Sequence, residues 1–309
     1  MRIVVTGAAG GIGRWVVADL VANGHVVVAV DRVAPGSMRP GTGGQEPADP
    51  STGSDTCGPP RPTERVEWHL GDARDATLLE RATMGADALI HLAAIPAPTL
   101  GTAYDVFATN TQATFTALEA AGKAGVRRVA IASSISLLGL PYSPVPISPL
   151  EAPIPDDHPD IGSDPYALSK ETDEATLRTM HRRHGYQAIA LRISGVAPMA
   201  FHRERLPSAE ADPGLLANEC WAYLESRDAA RAFALAVERE IPGVTAINVM
   251  APDTNSSVPS AELMARYHPA TRLRRPLVGY ESIFDTTRAR ELLGFTALHR
   301  LFPERTDRP

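Results

Sequence analysis

Met1-Arg2-Ile3-Val4-Val5-Thr6-Gly7-Ala8-Ala9-Gly10-Gly11-Ile12-Gly13 opens the chain and decides its fold. The apolar run Ile3–Val5 predicts a short buried strand, and Gly11–Asn23 predicts a helix stopped at Gly24. Gly7 permits a tight turn between them, Gly10 lets backbone approach a pyrophosphate, and Gly13 allows helix to pack closely on strand. The helix N-terminus adds unpaired N–H groups and the positive end of a dipole. Asp31, 18 residues after Gly13, ends the next apolar run, Val26–Val30. A carboxylate there accepts hydrogen bonds from ribose hydroxyls and repels a 2′-phosphate, which favours NAD over NADP. Arg32 beside it keeps NADP open.

The same alternation continues outward. Val66–Leu70, Ala88–Leu92, Val129–Ala132 and Ala188–Leu191 read as further strands buried on both faces. Asp75–Met84, Thr102–Ala124 and Asp164–His184 read as helices between them, with Gly125 as a stop. Such an order implies right-handed crossovers and an α/β fold, a Rossmann-type doubly wound parallel sheet. Residues Ala34–Thr63 hold seven prolines and six glycines in 30 positions, without Val, Ile, Leu or an aromatic residue, so they read as a long loop insertion outside the core. From Gly195 the alternation weakens, and helices are expected only over Arg227–Glu240 and Thr287–Leu293. The expected organisation is a nucleotide-binding domain over 1–194 and a smaller substrate-binding cap over 195–309, interleaved with it and fed by the Gly139–Gly162 connection.

Composition narrows the class. With 30 basic and 36 acidic residues the net charge is −6, and no basic block marks a nucleic-acid or membrane surface. No apolar run reaches the roughly 18–20 residues that span a bilayer. The strand pattern begins at once and leaves no room for a leader. Two cysteines, Cys57 and Cys220, form neither a disulfide framework nor a metal knuckle, so a cytoplasmic protein is expected.

A second constellation carries chemistry. Tyr166 and Lys170 stand four residues apart, one above the other on a helix face, and the hydroxyl pair Ser133-Ser134 closes the fifth strand. Ligands of doubly wound sheets bind at the carboxyl ends of the strands. A free phenol ionises near pH 10, too high for a base at neutral pH, but an adjacent ammonium and a cationic nicotinamide favour the phenolate.

These pieces together resemble the extended short-chain dehydrogenases/reductases of the NAD-dependent epimerase/dehydratase family. The likeness runs through Thr6-Gly-x-x-Gly-x-x-Gly13, Asp31, Gly71-Asp72, His91-Leu92-Ala93-Ala94, Asn110, Ser133-Ser134, Tyr166/Lys170, Leu191-Arg192, Arg227-Asp228 and Leu292-Leu293-Gly294-Phe295. It implies that Gly7, Gly10, Gly11, Ile12, Gly13, Asp31 and Arg32 meet NAD, with Asp72 and Ala73 at the adenine. Leu92, Ala93 and Ala94 would line the cofactor, Asn110 would brace the central helix beside it, and Tyr166 and Lys170 would complete the contacts. Ser134, Tyr166 and Lys170 would be catalytic, and Ser133, Ser134, Ser136 and Arg203 would touch substrate.

Departures from the family pattern bear on the reaction. Ile135-Ser136 stands where 4,6-dehydratases carry Asp-Glu, and Leu138-Gly139 where many epimerases carry Tyr-Gly. Leu216–Trp221 supplies no arginine for a nucleotide diphosphate, which leaves Arg203 or Arg205 for that task. Without its insertion the chain is about 280 residues, the size of compact uronate-dehydrogenase-like members. The reading is an NAD-dependent oxidoreductase acting on a sugar, sugar acid or related hydroxy compound. The rivals are a nucleotide-sugar epimerase, which makes no net NADH, and a nucleotide-sensing regulator. His181 and His184 have zinc-compatible spacing but no third ligand, and His91, Cys220, Trp221 and Tyr223 read as packing. A homodimer is expected through Thr102–Ala124 and Asp164–His184, with Phe107, Thr114, Ala121, Leu177 and Met180 on the shared face.

Overall fold

The computed structural model describes residues 1–33, 65–145 and 147–305. The proline- and glycine-rich insertion and Cys57 therefore lie outside the described residues. The first half runs β1 (Arg2–Thr6), α1 (Gly13–Ala22), β2 (Val26–Asp31), β3 (Val66–Leu70), α2 (Ala76–Thr83), β4 (Ala88–His91), α3 (Ala103–Lys123) and β5 (Arg128–Ser134). There follow β6 (Glu151–Ala152), α4 (Pro165–His184), β7 (Gln187–Ile193), β8 (Val196–Ala197) and α5 (Met199–Ala211). The chain then forms β9 (Leu224–Glu225), α6 (Ser226–Glu238), β10 (Val244–Val249), α7 (Ser260–Tyr267) and β11 (Arg272–Leu273).

Seven of these strands make one sheet in the order β10-β7-β5-β4-β1-β2-β3, and every pairing is parallel. This is the doubly wound Rossmann arrangement the alternation predicted. Side chains alternate between its faces: Ile3 and Val5 join one apolar cluster with Leu20 of α1 and Phe233 of α6, while Val4 joins another with Leu79, Leu118 and Leu177. Truncating a side chain such as Phe233, which is fully buried, would cost roughly 3–5 kcal/mol.

Three sequence expectations are corrected. The strand over Val66–Leu70 is an edge strand, paired only with β2, and Leu70 is exposed rather than covered on both faces. β10 was not expected, because Thr245 and Asn248 interrupt its apolar run; it nonetheless completes the sheet, with Asn248 held by Ile154 O and Asp156. Leu177, Met180, Thr114 and Ala121 are buried inside the protomer, so they present no open face for a partner.

A third apolar cluster joins Leu140, Ala152 and Ile154 of the long connection to Trp221, Leu263 and Phe284. β6 pairs with β11, and β8 with β9, so the connection and the C-terminal third are stitched together over the sheet. Helix α5 escaped the sequence reading since it carries Pro207 and only three buried residues. The expected helix at Thr287–Leu293 is a single π-turn, Ala289–Leu293.

Candidate active site

The glycine loop fits a pyrophosphate on three counts. Gly7 has φ +68°, and a Cβ on it would stand 2.8 Å from Ala93 N. A Cβ on Gly13 would stand 2.0 Å from Gly7 O, whereas Gly11 faces open space. Helix α1 has no side-chain cap and no acidic residue in its first turn. Among the described residues the N–H groups of Gly11, Ile12 and Gly13 donate to nothing, which leaves them for an anion. Asp31 reaches this loop: Ala9 N donates to its Oδ2 at 2.9 Å and Val33 N to its Oδ1 at 3.2 Å. Arg32 is exposed beside it. Asp72 is gripped by Arg74 through both oxygens, which hold its carboxyl below the usual carboxylate range, and Ala73 is buried behind it. Leu92 and Ala93 follow β4 with their N–H groups aimed at Thr6 Oγ1, and Ala94 is half-buried next to them.

Helix α4 is set by Asp164, whose Oδ1 accepts from the N–H groups of Tyr166 and Ala167 at 2.9 Å, and by Pro165 in the first turn. That cap fixes the turn carrying Tyr166. The Tyr166 ring meets Tyr142 edge-on at 6.3 Å, and Lys170 Nζ lies 5.7 Å from its centroid. Lys170 Nζ donates to Ala132 O at 3.0 Å and to Asp173 at 3.2 Å. An ammonium has three donors, so one remains for a ligand. Ser134 Oγ accepts from Ser136 N and donates to Ser136 Oγ at 2.9 Å, so these two hydroxyls stand together at the end of β5.

Other expected contacts are not assembled here. Ser133 points to the other side of its strand, where its hydroxyl donates to Glu174 at 2.6 Å, and Glu174 also holds Arg192 by two bonds. The Ser133 proton is thereby spent on the carboxylate of the buried Glu174–Arg192 ion pair. Asn110 is fully buried, its amide spent on Ile95 N, Ile95 O and Ser169 Oγ. It braces α3 against α4. Arg203 is exposed, while Arg205, with His202, Leu206 and Asn255, lines a recess beside α5.

His91 is buried, with both ring nitrogens bonded, to Thr6 and to Thr114. Burial, with Lys170 adding to it, pushes its pKa down to about 3. His181 and His184 bond to Tyr186 O and Glu119. Burial pushes the Cys220 thiol up to about 12, so it is no nucleophile. Glu225, Asp228 and His299 cluster closely enough for a metal, yet the carboxylates already accept from Arg227, Leu298 and His299. Tyr142, Asp173 and Glu219 are site-adjacent groups that sequence reasoning missed; Asp173 was visible as a carboxylate three residues after Lys170 on the same helix.

Residues 3–211 match the NAD dependent epimerase/dehydratase family, and the chain belongs to it. The family is NAD-dependent and enzymatic. The chain is 27% identical over 201 residues to a UDP-glucose 4-epimerase of Lacticaseibacillus casei, covering 64% of this chain and 52% of that protein. It thus spans about half the length of the curated epimerases it matches. It is 28% identical over 217 residues to an L-arabinose 1-dehydrogenase (NAD(P)(+)) of Haloferax volcanii, covering 68% of this chain and 73% of that protein. A short-chain dehydrogenase/reductase superfamily protein of Agrobacterium tumefaciens, solved with bound NAD, shares the fold: TM-score 0.67, 23% identity, 98% of this chain and 94% of that one. No helix among the described residues is long and apolar enough to cross a membrane.

Proposed function

We propose that the chain is an NAD-dependent dehydrogenase of a small free sugar or sugar acid. The observation that carries this reading is the Tyr166–Lys170 pair on one turn of α4, with the Ser134–Ser136 hydroxyls at the end of the neighbouring strand. Tyr166 takes the proton of a substrate hydroxyl, and Ser134 orients that oxygen. Lys170 keeps a positive charge by the phenol and uses its remaining donor on the cofactor ribose. NAD, when bound, accepts the hydride from the same carbon. The arabinose dehydrogenase supports a free sugar, since the match covers most of that protein, against about half of each epimerase.

The epimerase relatives support a second reading, in which the same centre oxidises a nucleotide sugar transiently. Purified protein with NAD, offered neutral sugars, hexuronates and UDP-glucose, separates the two at the NADH absorbance. Net NADH with a free sugar is expected. Conversion of UDP-glucose without NADH would replace the dehydrogenase reading with the epimerase one.

We also propose a homodimer formed by the open faces of α3 and α4.

A further inference from the structure

Glu219 ends the short helical segment Pro213–Glu219, immediately before two buried non-glycine residues with left-handed backbone, Cys220 (φ 48°) and Trp221 (φ 52°). Trp221 fixes this reversal: its indole N–H donates to Pro213 O at 2.8 Å, and its ring packs on Tyr267 and His268 at 5.7 Å. The reversal turns the Glu219 side chain toward the sheet. Its Oε2 lies 3.8 Å from the point where Gly195 would carry a Cβ, with nothing else of the chain within 4 Å of that point. Gly195 follows the end of β7, the strand beside β5 and its Ser134, so the carboxylate stands over the carboxyl edge of the sheet.

Among the described residues the Glu219 side chain makes no hydrogen bond and no ion pair; its backbone carbonyl accepts from Ala222 N. Its nearest charged or titratable neighbours are Arg205, the Cys220 thiol and the Tyr142 phenol, whose ring abuts Tyr166. Burial raises the Glu219 pKa and Arg205 counters this only partly. Two polar atoms of this region are buried without a partner among the described residues: Ser194 Oγ, one residue before Gly195, and Asn255 Oδ1, which lines the recess with Arg205. Buried polar atoms are nearly always paired, so these two, near the half-buried and unpaired Glu219 carboxylate, mark a place for a polar ligand.

We infer that Glu219 is a substrate-specificity residue that accepts hydrogen bonds from the hydroxyls of a neutral sugar and disfavours a substrate carrying its own carboxylate. The inference rests on the dehydrogenase reading only in taking this edge as the substrate's seat. A carboxylate offers about four acceptor sites and no donor, which matches vicinal hydroxyls. It repels a second carboxylate at close range in a partly desolvated cleft.

The test uses the NADH-loaded protein, wild type and the Glu219→Gln and Glu219→Ala variants, titrated calorimetrically with a panel of neutral pentoses and hexoses, L-arabinose among them, and with D-glucuronate. A neutral sugar should bind wild type, and its Kd should rise about tenfold or more in Glu219→Gln, the scale of a lost charged hydrogen bond. D-glucuronate should bind the variants more tightly than wild type, and melting temperatures should match. Unchanged affinities for both ligand types in two folded variants would overturn the inference. So would a wild type that binds glucuronate and no neutral sugar, or no panel member at all. Neutral-sugar binding that depends on Glu219 without NADH formation in the oxidation assay would uphold the inference and remove the dehydrogenase reading.

Discussion

Asp173 Oδ2 lies 3.2 Å from Lys170 Nζ, with 2% and 4% of the two side chains exposed. Burial alone opposes a charged lysine, but Asp173, Tyr166 and Glu174 outweigh it and raise the Lys170 pKa. His91 faces the pair from β4 and stays neutral. The buried carboxylate therefore does two opposed things: it keeps Lys170 protonated, and it offsets the positive charge that the Tyr166 phenolate would feel. Asp173→Asn removes both. The uncompensated ammonium favours the phenolate at lower pH, and the ammonium itself is lost at lower pH. Both limbs of the kcat/KM–pH profile should move toward acid. An unmoved profile in a folded variant would show that the pair is only structural.

Tyr166→Phe keeps the ring against Tyr142 and deletes the oxygen. Positioned acid–base groups contribute about 10²–10⁴-fold, so kcat should fall by that order while NAD affinity, measured by equilibrium fluorescence, stays close to wild type. Turnover at the wild-type rate would remove Tyr166 as the base.

Asp31 sits at the mouth of the glycine loop, tied to Ala9 N and Val33 N. A 2′-phosphate brought to this edge meets its negative charge, so NAD should bind more tightly than NADP. Asp31→Ala should narrow that preference. Equal wild-type affinities for the two cofactors would refute the assignment.

His91 links stability to pH. Its ordinary value is 6.5 and its folded value about 3, so the folded state binds its proton less readily than the unfolded chain. The stabilising contribution is complete above about pH 6.5 and falls as pH drops toward 3, at about 1.4 kcal/mol per unit. Asp156 acts the opposite way: burial raises it to about 6, so its folded form gains a proton, and stability, as pH falls through that value. Comparing wild type with His91→Gln isolates the histidine. Between pH 7.5 and 5 the wild-type melting temperature should fall more than the variant's; parallel curves would show that His91 is not the acid-labile group.

The sequence carried the sheet because parallel strands buried on both faces must be continuous apolar runs, as Ile3–Val5 and Ala88–Ile90 are. It failed at β10, whose Thr245 and Asn248 are satisfied by partners distant in sequence, Arg288 and Ile154. The glycine loop was legible since its steric demands fall on the glycines themselves. Ser133 and Ser134 were not separable by residue type; only strand alternation sends one to Glu174 and the other to Ser136. Glu219 was invisible as a site residue because its direction depends on the left-handed pair Cys220-Trp221, and nothing in those residue types announces positive φ.

The proposed dimer rests on two uncharged stripes. Tyr104, Ala108, Thr111 and Phe115 on α3, and Leu168, Thr172, Ala175 and Thr179 on α4, repeat at i, i+4, i+7 and i+11 and are half-exposed or exposed. Tyr104 is 87%, Phe115 51% and Leu168 50% exposed, on helices that pack against one another over the same apolar cluster. A paired patch of this kind on one face suits a self-complementary two-fold contact. Leu168→Glu should leave the protomer folded and shift sedimentation velocity from dimer toward monomer. Leu177→Glu, nine residues along the same helix but buried, should instead collapse the melting temperature. Wild-type protein sedimenting as a monomer at micromolar concentration would leave the stripes without this role.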